Sequence, residues 1–233
     1  MKYSVKQEVF KLNSHLYFGI LIGKGLTNSE SKDVEFLRRA ESFVRQSIGK
    51  KDSRCLPTIK AYRDTMEKAG INPNKYPPSI EAMLKRVLKG NQLPTINILV
   101  DLCNIVSLEN MISLGGHDLK DIHEDLSVCF SNGTERFLPI GTNDYETVER
   151  GELIFTSGDV VQTRRWIWRQ SELGKMTLNT KNIFFHLVGF EDLKNNKLKK
   201  ALDSLEKLAT KKCGGIYQNY IVNSTKPEIN FTI

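Results

Sequence analysis

The chain has 233 residues, 39% of them hydrophobic and 26% charged, enough to bury a sizeable core without disulfide or metal staples. Its longest apolar run, Leu16 to Gly23, is far too short to span a membrane, and MKYSVKQEVF lacks the apolar core and cleavage site of a signal peptide, so a cytoplasmic protein is expected. Four scattered cysteines (Cys55, Cys103, Cys129, Cys213) form no CxxC pair, which argues against a disulfide framework or a zinc site, and neither a metal nor a cofactor is expected. A net charge of +7 admits a polyanionic partner. The charge is separated along the chain. Lys194, Lys197, Lys199, Lys200, Lys207, Lys211 and Lys212 crowd one segment, whereas Asp121, Glu124, Asp125, Glu135, Asp144, Glu146, Glu149 and Glu152 crowd another.

In chain order, strands are predicted from Val5 to Phe10 and from Leu16 to Ile22. Four amphipathic helices follow. The first runs from Asp33 to Ile48, with Val34, Leu37, Ala40, Val44 and Ile48 on one face. The second runs from Pro57 to Ala69, with Pro57 suited to its first turn and Gly70 to its stop. Pro77-Pro78-Ser79 open the third, ended by Gly90. Pro94 opens the fourth, whose apolar face is Ile96, Leu99, Val100, Cys103 and Val106, beside a polar stripe of Asn97, Asp101 and Asn104. From Met111 to Val188 the pattern is β-rich, with Asn132-Gly133 a hairpin signal and strands at Leu153 to Phe155, Val160 to Trp168 and Ile183 to Val188. A long helix from Asp192 to Lys212 stops at Gly214-Gly215, and GIYQNYIV supplies a last strand. Helices and strands segregate in blocks, which suits an α+β fold.

No phosphate-binding loop, nucleophile elbow, HExxH or strand-borne GxGxxG is present, so the common motif-bearing enzyme classes lack support. Three polar constellations remain. GGHDLKDIH places His117 after two glycines, where it either meets a ligand or sits in a turn bonded to a neighbouring helix. VVQTRRWIWRQSE combines Arg164, Arg165 and Arg169 with Trp166 and Trp168. As a strand it puts Arg164, Trp166 and Trp168 on one face, giving either phosphate forks beside stacking rings for single-stranded RNA or a tryptophan core flanked by arginines. KMTLNTKN gathers Thr177, Thr180 and Asn182, a polar pocket wall or an ordinary turn.

Together these segments resemble one family. LPTINILVDLCNIVSLENMISLGGHDLKDI resembles the stretch of bacterial phenylalanyl-tRNA synthetase beta subunits that carries VDVTN and then a histidine: Asp101 and Asn104 match the first motif, and His117, Leu119 and Ile122 the second. Cys103 stands where the synthetase has threonine. SELGKMTLNTKNIFF, with Glu172 and Thr180 to Ile183, resembles a later segment of the same domain at a longer spacing. GINPNKYPPSIEAMLKRVLKG, ERFLPIG, GELIF and TRRWIWRQS look like blocks of its stand-alone relatives, the B-three/B-four tRNA-editing-like family.

The resemblance implies a layered α+β fold with a β-sandwich element and flanking helices. It implies a single domain over 1–233, helix-rich to about residue 110 and β-rich beyond. The implied activity is hydrolysis of mischarged aminoacyl-tRNA in trans, with tRNA as partner. An aminoacyl ester is already activated, so water must be oriented and an oxyanion stabilised without a strong nucleophile. The expected catalytic set is His117, Asn104 and Glu172. The expected substrate- or RNA-binding set is Arg164, Arg165, Trp166, Trp168, Arg169, Thr177, Thr180, Asn97 and Asp101. The alternatives are a non-catalytic module that binds RNA or an amino-acid-like ligand, and a hydrolase of small amino-acid esters.

Overall fold

The computed structural model describes residues 1–31, 34–49, 52–191 and 197–232. The chain opens on β1 (Lys2–Val5) and passes directly into the short α1 (Gln7–Leu12), where a strand over Val5 to Phe10 was expected. Val9 and Phe10 are both buried. A strand would send these neighbours to opposite faces, whereas one helical turn carries both inward. β2 (Leu16–Lys24) then runs as the sequence predicts.

The four amphipathic helices form as α2 (Glu35–Ile48), α3 (Pro57–Lys68), α4 (Ser79–Leu88) and α5 (Ile98–Asn110). Asp33, the predicted start of the first, lies outside the described residues. Val34 and Ile96 do not join the apolar faces expected of them, being 40% and 59% exposed. α5 starts after Asn97 rather than at Pro94 because the Asn97 side chain accepts a hydrogen bond from the Val100 amide at 3.1 Å, a helix cap.

The second half supplies β3 (Ser113–Asp118), β4 (Leu126–Phe130), β5 (Arg136–Phe137), β6 (Glu146–Thr147), β7 (Leu153–Ser157), β8 (Val160–Arg164), β9 (Arg169–Gln170) and β10 (Ile183–Phe190). α6 (Lys197–Cys213), β11 (Ile216–Val222) and β12 (Glu228–Asn230) complete the chain. The expected start of the long helix at Asp192, with Lys194, lies outside the described residues. The Asn132-Gly133 turn closes no hairpin: β4 pairs with β1 and β7, while β5 pairs with β6 and β8. The turn folds instead onto the Glu135 carboxylate, which accepts from Ser131 Oγ at 2.5 Å and from the Asn132 and Gly133 amides, each at 3.2 Å.

Among the described residues the strands make two sheets. One has the order β12-β1-β4-β7-β8-β5-β6, with β9 added to β8; the other has the order β11-β2-β10-β3. Alternation along β10 explains how they stack. Phe184 and Val188 enter a core shared with Tyr3 and Phe155 of the first sheet and with α2, α3 and α4. Ile183, Phe185 and Leu187 enter a second core beneath α5 and α6, against Leu102, Val106, Leu202 and Leu205. β10 therefore reads as an almost unbroken apolar run because both of its faces are covered. The architecture is α+β, two sheets packed face to face, with α5 and α6 on the outer side of the smaller one and α2, α3 and α4 contributing to the core shared with the larger. The four cysteines are free.

Candidate functional site

A cavity of about 180 Å³ opens where the sheets diverge. Gly115 and His117 from β3, His186 from β10, Gln170 from β9, and Trp166 and Trp168 beyond β8 line it. Period-two alternation turns Ser113, Gly115 and His117 to the same face of β3. A Cβ on Gly115 would sit 3.4 Å from His117 Nε2, an ordinary contact. A Cβ on Gly116 would lie 2.7 Å from Met176 Sδ, so that position lets the following loop close over the strand. Of the paired glycines before the histidine, Gly116 thus serves close approach.

His117 is buried, its ring edge-on to Phe155 with centroids 5.0 Å apart. Burial lowers its pKa to about 4, and the imidazole is neutral near pH 7. The Gln162 amide stands beside it and offsets this slightly, without reaching hydrogen-bond geometry. His186 is lowered to about 3, first by burial and then by His117. Its Nε2 meets the Tyr3 hydroxyl at 2.8 Å and its ring stacks on Phe155 and Phe18.

Eight buried side-chain polar atoms lack a hydrogen-bond partner among the described residues; His117 Nδ1 and Trp166 Nε1 belong to residues that line the cavity, and Gln162, beside His117 but outside the lining, contributes two more. An unmet buried donor or acceptor costs about 1–3 kcal/mol, so ordered water or a bound ligand is expected at these atoms. Donors and acceptors are both present, and the lining carries no carboxylate or ammonium group.

The expected strand from Val160 to Trp168 ends at Arg164. Arg165 and Trp166 both adopt left-handed backbone, with φ of 47° and 64°. Contacts with the β7 region hold them there: the Trp166 amide donates to the Leu153 carbonyl at 2.8 Å and the Arg165 amide to Glu152 Oε1 at 3.2 Å. Arg164 and Arg165 both pair with Glu152, Arg165 Nη2 lying 3.6 Å from its Oε2. Arg164 is buried in an ion pair, Nε to Glu152 Oε1 at 3.0 Å and Nη1 to Glu146 Oε2 at 2.6 Å. Arg165 lies 3.7 Å above the Tyr76 ring and 5.1 Å from that of Trp168, with Tyr76 and Trp168 edge to face at 4.8 Å. Arg169 is exposed. A cationic, aromatic rim therefore adjoins the cavity.

The other predicted residues stand elsewhere. Asn104 is half-buried on α5 and does not line the cavity. Glu172 does not line it either; its carboxylate pairs with Lys175 and accepts from the Gly141 amide at 3.0 Å, and both lower its pKa. Thr180 Oγ1 donates to Asp118 at 2.6 Å and accepts from the Thr177 amide, which fastens the 175–182 loop to β3. Asn97 Nδ2 donates to the Met176 carbonyl of the same loop at 3.1 Å. Asp101 accepts from Ser31 and lines a different cavity. His117, Trp166 and Trp168 converge; Asn104, Glu172 and Asp101 do not join them. Sequence reasoning missed Gln162, Gln170 and His186. The signal for two of them was a polar residue inside an apolar strand, as in VVQTR and FFHLV.

No curated protein matches the chain. An N-terminal fragment of the phenylalanyl-tRNA synthetase beta-subunit from Pyrococcus horikoshii matches with 13% identity and a TM-score of 0.49, over 92% of this chain and 49% of that one. This chain thus spans about half the length of that fragment. None of the described helices is long and apolar enough to cross a membrane. The family model of the B3/4 domain matches residues 61–214, about two thirds of the sequence, and the chain belongs to the B3/4 domain family.

Proposed function

We propose that this B3/4 domain acts in the cytoplasm on tRNA, taking the aminoacyl group of a mischarged tRNA into the His117 cavity and hydrolysing its ester. The observation that carries this reading is one small cavity lined by both His117 and Trp166, each with a buried ring nitrogen that lacks a hydrogen-bond partner. A volume of about 180 Å³ suits an amino-acid side chain rather than a nucleotide. A neutral imidazole both accepts and donates, so His117 can hold a water against the ester carbonyl. The Trp166 indole N–H is a donor for the oxyanion that forms. Outside, Arg165, Trp168 and Arg169 offer charge and ring faces to the terminal nucleotides. Asn97, Thr177 and Thr180 act by holding the loop against β3.

The test is release of amino acid from a panel of mischarged tRNAs by the wild-type protein, by His117→Ala and by Trp166→Phe. Release from at least one charged tRNA is expected, falling 10- to 1,000-fold in either variant. Release unaffected by both substitutions would remove the cavity from the reaction. One specific feature supports a second reading, a module that binds the aminoacyl end without cleaving it: at a pKa of about 4 His117 is a weak base. Saturable binding of charged tRNA with no release from any of the panel would select that reading. Release from free amino-acid esters without any need for tRNA would select a small-ester hydrolase.

A further inference from the structure

A cavity larger than the one around His117 lies elsewhere among the described residues. It measures about 440 Å³ and lies among α2, α5 and α6, beyond the smaller sheet. Its apolar wall is Phe36, Ile98, Leu102, Ile105 and Leu208. Five charged side chains also line it, Glu30, Asp101 and Glu109 on one side and Lys207 and Lys212 from α6 on the other. Glu109 and Lys207, both exposed, pair neither with each other nor with any other described residue.

Glu109 pays for its position. Its carboxyl is partly covered by the cavity wall, which raises its pKa, and no group of the protein compensates. Asp101, on the same helix and the same cavity, is raised by burial despite accepting from Ser31 and from the Ile96 amide. The α5 wall therefore offers carboxylate acceptors and the α6 wall an ammonium donor, on either side of an apolar floor. A purely cationic guest would face Lys207, and a purely anionic one would face Glu109 and Asp101. Only a guest with both charges meets every wall with its complement. Organic ligands larger than a single amino acid occupy sites of ~300–1,000 Å³.

We propose that this second cavity is a binding site for a zwitterion with a large apolar body, of the size of an apolar dipeptide with free ends, its ammonium facing Glu109 and its carboxylate facing Lys207. The site stands apart from the His117 cavity, with the smaller sheet between them, and does not depend on what that cavity does.

Calorimetric titration of the full chain with L-leucyl-L-phenylalanine, its N-acetyl form and its C-terminal amide tests the assignment. The free dipeptide is expected to bind, and capping either end should weaken binding about tenfold, the effect of losing one charge-assisted hydrogen bond. In Glu109→Gln the penalty of acetylation should disappear while that of amidation remains; in Lys207→Met the reverse is expected. Ser204→Phe, on the cavity side of α6, should abolish binding while the circular dichroism spectrum and the cooperative thermal transition stay those of wild type, which reports that the variant is folded. Absence of binding by all three peptides, capped forms that bind as tightly as the free one, or binding that survives Ser204→Phe would each overturn the proposal.

Discussion

Arg164 and Glu152 share a buried corner with 9% and 6% of their side chains exposed, and Arg164 Nη2 adds a further bond to Glu152 Oε2 at 3.0 Å. Removing one partner strands the other charge away from water, which costs about 3–5 kcal/mol. Glu152→Ala should therefore lower unfolding stability by about 3 kcal/mol in urea, far more than Glu149→Ala on the exposed side of the same loop. The two buried histidines give the residue scale a pH signature. Both have folded pKa values, about 4 for His117 and about 3 for His186, below the ordinary 6.5 of the unfolded chain. Their contribution is complete above the unfolded value and is lost as pH falls, since only the unfolded chain takes up protons between 6.5 and the folded values. Melting temperature should fall from pH 7 to pH 4, with a flatter profile in His117→Gln and in His186→Gln. A profile equally steep in both variants would place the acid sensitivity elsewhere. His117 could be singled out from sequence because two glycines precede it. His186 could not be paired with it, since only the antiparallel register of β3 and β10 brings them together, Gly115 opposite His186.

Elements built on local periodicity were legible. α3 carries Pro57 at its first turn and Gly70 after its last, so the amino acids that set its limits lie within it or beside it. α5 differs, because its first turn is set by Asn97, which caps the helix and also reaches the Met176 carbonyl. Asn97→Ala removes both bonds and should cost about 1–2 kcal/mol, whereas Asn97→Ser restores the cap and should recover about half. Denaturation in urea separates these outcomes; equal loss in both variants would mean that the loop bond, not the cap, holds the helix start. The turn after β8 was illegible for a physical reason. Positive φ is ordinarily announced by Gly, Asn or Asp. Here an arginine and a tryptophan adopt it, held by bonds to Glu152 and Leu153, thirteen residues back for each. Alternation along RRWIW predicts a strand because nothing in those five residues records that partner.

At the scale of the molecule, the smaller sheet separates two positively charged regions. On one side Arg165 stands beside Trp168 of the His117 cavity, with Arg169 exposed on the adjoining β9; on the other α6 exposes Lys199, Lys200, Lys207 and Lys211. α6 sits flat on that sheet because Gly19 and Gly189 leave room for Leu198, which a Cβ at either position would approach to 3.3 and 3.1 Å. The sequence showed the lysines as a cluster and the arginines as another, but not that a layer of β-structure lies between them. That layer decides which set serves a substrate whose end enters the cavity. Each phosphate contact releases condensed counterions, so the logarithm of affinity falls with the logarithm of salt concentration in proportion to the contacts made, by about 0.7 per contact for a single strand. Arg165→Ala and Arg169→Ala should each weaken binding of charged tRNA and reduce that slope by about 0.7, with slower release of the amino acid at limiting substrate. Lys200→Glu and Lys211→Glu reverse charge on the far side and should leave both the slope and the release rate within about twofold of wild type, since screening over roughly 8 Å removes most of their influence at physiological salt. The opposite result, a slope that follows the α6 lysines and ignores the arginines, would mean that RNA lies across the helices, and that whatever enters the His117 cavity is not carried there by tRNA.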